Sequence, residues 1–134
     1  MRIIKFRGKR VDNGKWITGS LILNPAYEHP LIGGYYNETE DGHPISVWRE
    51  HEVIPETVGQ FTGLYDTDNR EIYKGDVVFY EDHEWEVVFE YDRWDMKRGE
   101  KYVREDDLSD DPGLTVWELS WKIGNIHDNP EPLQ

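Results

Sequence analysis

From Glu84 to Asp92 the chain alternates in character: Trp85, Val87, Phe89 and Tyr91 share one parity, Glu84, Glu86, Glu90 and Asp92 the other. Successive side chains of a strand point to opposite faces, so a period of two predicts a strand with an apolar inner face and an acidic outer one. The same period returns elsewhere. Near the start Ile4 and Phe6 alternate with Lys5, Arg7 and Lys9, and toward the end Thr115, Trp117, Leu119, Trp121 and Ile123 fall on one parity. Turn signals stand between these runs: Asp12-Asn13-Gly14, Asn24-Pro25, Gly33-Gly34, Asp41-Gly42, His43-Pro44 and Asp66-Thr67-Asp68-Asn69. Gly and Asn accept the positive φ of tight turns, and Pro interrupts a ladder. No long amphipathic helix competes with this pattern. About six to eight short strands favour a mainly β protein of small-barrel or sandwich type.

Trp16 to Leu23 is expected to return on the first strand as a β-hairpin. Val58 to Phe61, Ile72-Tyr73 and, after a kink at Gly75-Asp76, Val77 to Tyr80 supply further strands. Residues 24–54 read as short strands or loops. Residues 95–113 are charged and end in Asp110-Asp111-Pro112-Gly113, which predicts a mobile loop with a short helical turn around Lys97 to Arg104.

With 134 residues, one domain or two small subdomains sharing a core is the expectation. The sequence has no cysteine, which excludes disulfides, thiolate metal sites and a thiol nucleophile. No apolar run approaches the ~20 residues of a membrane span, and no apolar stretch follows the basic start, so a cytoplasmic protein is expected. Charge is segregated. Residues 1–16 carry +5 and the rest −18, a basic edge on an acidic body.

The search for chemistry returns few candidates. His51-Glu52 and His83-Glu84 lack the second histidine four positions on that a zinc protease helix requires. Asp66 and Asp68 fill two positions of a calcium loop, but Arg70 and Glu71 occupy the fifth and sixth, so an Asx-rich turn is the better reading. Asp106, Asp107, Asp110 and Asp111 are read as a solvated acidic loop rather than a magnesium site. Phosphate-binding glycine loops, nucleophile elbows and dinucleotide fingerprints are missing from the sequence. The expectation is no enzyme, no cofactor and no metal.

Two charged stripes invite binding readings. Lys5, Arg7 and Lys9 on one strand face, flanked by Arg10 and Lys15, would suit phosphates if the hairpin stays exposed; they equally suit protection of a strand surface. On the acidic strand, Glu84, Glu86, Glu90 and Asp92 with Asp82 nearby would space carboxylates about 6.5–7 Å apart, near the phosphate spacing of one DNA strand. That admits nucleic-acid mimicry toward a host protein. A solubilising face is the plainer alternative.

Three ordered blocks carry a family resemblance: Ile4-Lys5-Phe6-Arg7-Gly8-Lys9-Arg10, the segment from Val58 to Val78, and Ile123-Gly124-Asn125-Ile126-His127-Asp128-Asn129-Pro130-Glu131. With their turn residues they resemble the YopX-like proteins, small proteins encoded mainly by bacteriophages and prophages. The resemblance implies a mainly β fold, an N-terminal β-hairpin region joined to a C-terminal SH3-like small β-barrel, with subdomains at 1–56 and 57–134. It implies no established activity. Exposed aromatics of such a barrel usually line a recognition groove, so Tyr80, Tyr91 and Trp94 are candidates there, although a core position is the stronger reading for Tyr91. Trp48, beside Arg49, joins them; Trp85, Trp117 and Trp121 are expected in the core. The function expected is non-catalytic binding of a macromolecule, a host or phage protein, with self-association. Direct nucleic-acid binding through the basic hairpin ranks second.

Overall fold

The computed structural model describes residues 4–104 and 115–128, and these fall into two compact units that divide between Gln60 and Phe61. Both are built from antiparallel strands, and no helix among the described residues is long and apolar enough to cross a membrane.

In the first unit, β1 (Phe6–Lys9), β2 (Trp16–Ile22), β3 (Leu31–Glu40) and β4 (His43–Glu52) form an antiparallel sheet in the order β4-β3-β2-β1. The start of β5 (Gly59–Tyr65) pairs with the free side of β1, Gln60 opposite Phe6 and Gly59 opposite Arg7. Residues 24–54, expected as short strands or loops, contain the longest hairpin. β3 and β4 stay in register over ten pairs, from Leu31↔Glu52 to Glu40↔His43. Gly33 and Gly34 lie inside β3 rather than at a break, and at Gly33 the packing needs a residue without Cβ, since a Cβ there would stand 2.6 Å from Cζ2 of Trp48. Likewise a Cβ on Gly19 of β2 would stand 2.3 Å from the Gly33 carbonyl oxygen. Among the described residues of this unit, Leu31, Ile32 and Val53 are the buried hydrophobics.

In the second unit β5 turns back on β6 (Glu71–Tyr73), with an irregularity between the Phe61↔Tyr73 and Tyr65↔Glu71 pairs. β7 (Asp76–Tyr80), β8 (His83–Glu90), β9 (Arg93–Arg98), β10 (Lys101–Arg104) and β11 (Trp121–Asn125) form a five-stranded sheet in the order β10-β9-β8-β7-β11. Among the described residues no ladder joins its two edges into a closed barrel. Ile72, Val78, Tyr80, Trp85, Val87, Met96, Val116 and Trp117 make the core. Each such side chain contributes roughly 1.5–3 kcal/mol through burial.

Three local expectations are corrected. Residues 95–104 are neither loop nor helical turn but the end of β9 and β10, joined through Gly99 and Glu100. The run from Thr115 is not one strand: residues 116–119 form a turn that buries Trp117, and only Trp121–Asn125 is extended. Trp121, expected in the core, is 46% exposed, because beyond that turn it sits opposite Phe79 on the other face of the sheet. The candidate acids Asp106, Asp107, Asp110 and Asp111 lie outside the described residues.

Candidate protein-binding surfaces

Two-residue hairpin turns set where the exposed aromatics go. At Asp41-Gly42, Glu81-Asp82 and Tyr91-Asp92 both central residues have positive φ, as the twist of tightly joined antiparallel strands demands. Asn, Asp and Gly ordinarily fill such positions, since a left-handed residue with a bulky side chain costs roughly 1–2 kcal/mol. Tyr91, at φ 54°, holds one of them and remains 75% exposed. The expectation of a core position for Tyr91 therefore fails: the strand ends at Glu90 and the alternation stops with it.

The end of the β8–β9 hairpin carries an aromatic pair on each face. On one, Phe89 and Trp94 are cross-strand partners in edge-to-face contact with ring centroids 4.9 Å apart. Trp94 is half-buried and packs against the core, whereas Phe89, the outermost apolar residue of β8, is exposed. On the other face Tyr91 meets Tyr102 edge-on at 6.3 Å. Tyr102 donates from its hydroxyl to Glu90 Oε2 (2.5 Å), and Lys97 Nζ donates to Glu90 Oε1 (3.0 Å). These bonds hold the Glu90 carboxyl below its usual range, the Tyr102 bond foremost, and raise the phenol of Tyr102 above its own. Tyr80 does not belong to this surface. It is 7% exposed in the core, and its carbonyl accepts the indole N–H of Trp85 at 2.9 Å.

A second aromatic feature lies on the first unit. Tyr35 of β3 and Trp48 of β4 are cross-strand partners in edge-to-face contact at 5.0 Å. The indole of Trp48 lies over Gly33, donates to Glu50 at 2.9 Å and is 41% exposed.

The charged stripes are not free arrays. Arg7 is 5% exposed, with its guanidinium 4.7 Å above the ring of Trp16, and Lys9 approaches the same ring at 5.5 Å. Arg10 grips Asp12 with two nitrogens, at 2.9 and 2.6 Å, and this pairing lowers the Asp12 carboxyl. Lys5 is half-buried and Lys15 exposed. Two cations of the row that the alternation suggested, Arg7 and Lys9, thus lie against Trp16 of β2. In the acidic stripe, Glu84 is exposed on β8, Asp82 and Asp92 occupy turns, and Glu86 is half-buried, with desolvation raising its carboxyl. Val88, buried, interrupts the row between Glu86 and Glu90.

Asp66 organises the turn that was weighed as a calcium loop. Its buried carboxylate accepts from the backbone N–H of Asp68 and Arg70 at Oδ1, and from Arg70 Nε and the N–H of Lys122 at Oδ2, all within 2.8–3.0 Å. Every acceptor position facing these donors is taken, which makes it an Asx-type turn hub. Asp76 similarly receives the N–H of Tyr73 at 2.7 Å. A cleft of about 520 Å³ in the second unit runs beside this turn, lined by Leu64, Tyr65, Asp66, Trp117 and Leu119 among others. Among the described residues no group of three His, Asp or Glu is placed to hold a metal ion.

The described residues define an antiparallel β protein of two sheets with aromatic pairs exposed on its hairpins. The chain belongs to the YopX family: the family described as YopX protein matches residues 5–134. It is similar in fold to a solved protein, EF1440 from Enterococcus faecalis, at 18% identity and a TM-score of 0.58, with 98% of each chain covered. No curated protein matches the sequence.

Proposed function

We propose that this protein is a non-catalytic binding module that acts in the bacterial cytoplasm and docks a host or phage protein through the tip of its β8–β9 hairpin. The observation that carries this reading is Tyr91. A tyrosine in a left-handed turn position costs conformational energy that Asn would not, and its ring gains little burial in return. Strain retained for a side chain that points to solvent is what a contact residue requires. Phe89 and Trp94 extend the surface on the opposite face, and Trp94 anchors it in the core. Large rigid aromatics supply contact area at low entropic cost, and Tyr and Trp are enriched among residues that dominate binding energy.

The test is capture of partners from a nuclease-treated bacterial lysate by the wild-type chain and by Tyr91→Asn. Asn suits the turn, so the variant is expected to fold at least as stably while losing the partner. Equal capture by both chains would overturn the reading, as would partners that are retained only when the nuclease is omitted.

A further inference from the structure

β4 is the last strand of its sheet, and among the described residues no other strand pairs with the outer side of its first half. The two-residue turn at Asp41-Gly42 makes Glu40 and His43 a hydrogen-bonded pair. From there the odd-numbered residues of β4 bond to β3, and the even-numbered ones direct N–H and C=O outward. The far end of the outer row is held by the chain itself: Val11 donates to the Glu52 carbonyl at 3.0 Å, and Arg10 bridges Val53. At the near end Pro44 offers a carbonyl but no N–H. Between these ends Ser46 and Trp48, both exposed, present both groups outward. Side chains leave this stretch of backbone uncovered. The Trp48 indole lies back over Gly33 of β3, and the Arg49 guanidinium reaches across to Glu38 of β3 at 2.7 and 2.8 Å. The ten register pairs with β3 run without a shift, so the edge is long and regular, the form that accepts a further strand. Charge selects which strand. From Glu38 to Glu52 the hairpin holds Glu38, Glu40, Asp41, Glu50 and Glu52 against Arg49 alone, and Glu38 already meets that cation. Glu50 accepts the Trp48 indole N–H at Oε1, 2.9 Å, which leaves Oε2 for a cation.

We propose that the edge from Pro44 to Trp48 adds, antiparallel, an extended segment of a partner protein that carries lysine or arginine at alternate positions. Ser46 and Trp48 then each exchange both backbone bonds with the segment, and the Pro44 carbonyl takes a further N–H. Residues opposite Ser46 and Trp48 share the face of Glu50, so a long cationic side chain opposite Trp48 reaches the Glu50 carboxylate on the diagonal. Past Trp48 the segment leaves the sheet, because Val11 holds the place beside Glu52. A second copy suits this edge poorly, since its own β4 would bring carboxylates to carboxylates. The proposal stands independently of the hairpin tip of the second unit.

The probe is a synthetic heptapeptide of alternating lysine and threonine, acetylated and amidated, titrated into the full chain and followed by amide resonances and hydrogen exchange. The expected result is that the N–H groups of Ser46 and Trp48 shift and exchange more slowly as the peptide is added, and that added salt weakens the effect. A peptide with glutamate in place of lysine should bind at least about ten-fold more weakly, and so should one with N-methylated lysines, which keeps the charge but removes the ladder donors. Ser46→Pro removes an outward N–H only, a substitution that an edge strand tolerates, and is expected to weaken the lysine peptide about ten-fold with unchanged circular dichroism. The N-methylated peptide tests the same ladder on the wild-type chain, whether or not that variant folds. No slowing of exchange at Ser46 and Trp48 with roughly 5 mM lysine peptide would overturn the proposal. Equal binding of the glutamate or the N-methylated peptide would overturn it as well.

Discussion

Asp66→Asn is the substitution whose cost follows most directly from the geometry. The aspartate side chain is fully buried and each oxygen receives two donors, the N–H groups of Asp68 and Arg70 at Oδ1, Arg70 Nε and the N–H of Lys122 at Oδ2. An amide keeps the shape, but whichever oxygen it replaces with NH2, two donors then face a donor. Hydrogen bonds to a charged acceptor contribute about 1.5–3 kcal/mol each, and an unsatisfied buried donor costs about 1–3 kcal/mol. Arg70 is half exposed and recovers much of its loss from water. The net expectation is a destabilisation of about 2–4 kcal/mol at neutral pH. Asp68→Asn removes the same charge from a mainly exposed side chain and should cost under about 0.5 kcal/mol, which isolates the buried bonds from the relief of overall negative charge. Urea unfolding of the three proteins measures both. The pH dependence carries a sign. Burial raises the Asp66 carboxyl, but the bonds from Lys122 and Arg70 outweigh it and hold it below its usual value. A depressed folded value means the stabilisation is complete above the unfolded value of about 3.9 and is lost as pH falls through the folded one. The gap between wild type and Asp66→Asn should therefore be full at pH 7 and close in acid. A loss below about 1 kcal/mol, or one no larger than that of Asp68→Asn, would refute the reasoning.

Tyr91→Asn should raise stability by up to about 1 kcal/mol in thermal or urea unfolding, as relief of the left-handed tyrosine exceeds the loss of its edge contact with Tyr102. Gly33→Ala should cost about 1–3 kcal/mol and shift tryptophan fluorescence, since the new Cβ collides with the Trp48 indole, whereas Gly34→Ala, which meets no atom within 4 Å, should do neither. The phenol of Tyr102 should ionise above the ordinary tyrosine range in an ultraviolet titration, and Glu90→Gln should bring it back down by removing the charged acceptor of its proton.

Much of the sheet architecture was legible because a strand with one buried face writes a period of two into the sequence. β8 and the β1–β2 hairpin followed from alternation and from Asp12-Asn13-Gly14. The aromatic surface was harder for physical reasons. Val77-Val78-Phe79-Tyr80 is apolar on both parities, so nothing in it says that Tyr80 faces the core and Phe79 does not. Tyr91 continues the parity of Trp85, Val87 and Phe89, and Tyr91-Asp92 lacks the usual composition of a tight turn, so the end of the strand is invisible without the backbone. For Arg7 the face was readable but not its cover, because Trp16 closes over it from β2. The β9 strand did leave a signal: Trp94 and Met96 alternate with Arg93, Asp95 and Lys97, masked by the density of charge.

The fate of the charges separates the binding readings. Phosphate mimicry needs evenly spaced, ionised, solvent-facing carboxylates, yet Glu90 is spent on Lys97 and Tyr102, Glu86 is half-buried, and Val88 breaks the row between them. Phosphate binding needs free cations, yet Arg7 is buried over Trp16 and Arg10 is held by Asp12. What remains of the −13 is a diffuse field that repels nucleic acid and other copies alike over about a Debye length. On the proposed reading contact chemistry falls to the exposed aromatics, which salt does not weaken. Docking of an acidic partner at the β8–β9 tip should tighten as ionic strength rises. Contacts to nucleic-acid phosphates would instead weaken steeply over the same range. A salt titration of any captured complex that Ser46→Pro leaves intact thus decides by its sign: loss of binding with added salt would return the basic strand to the centre of function.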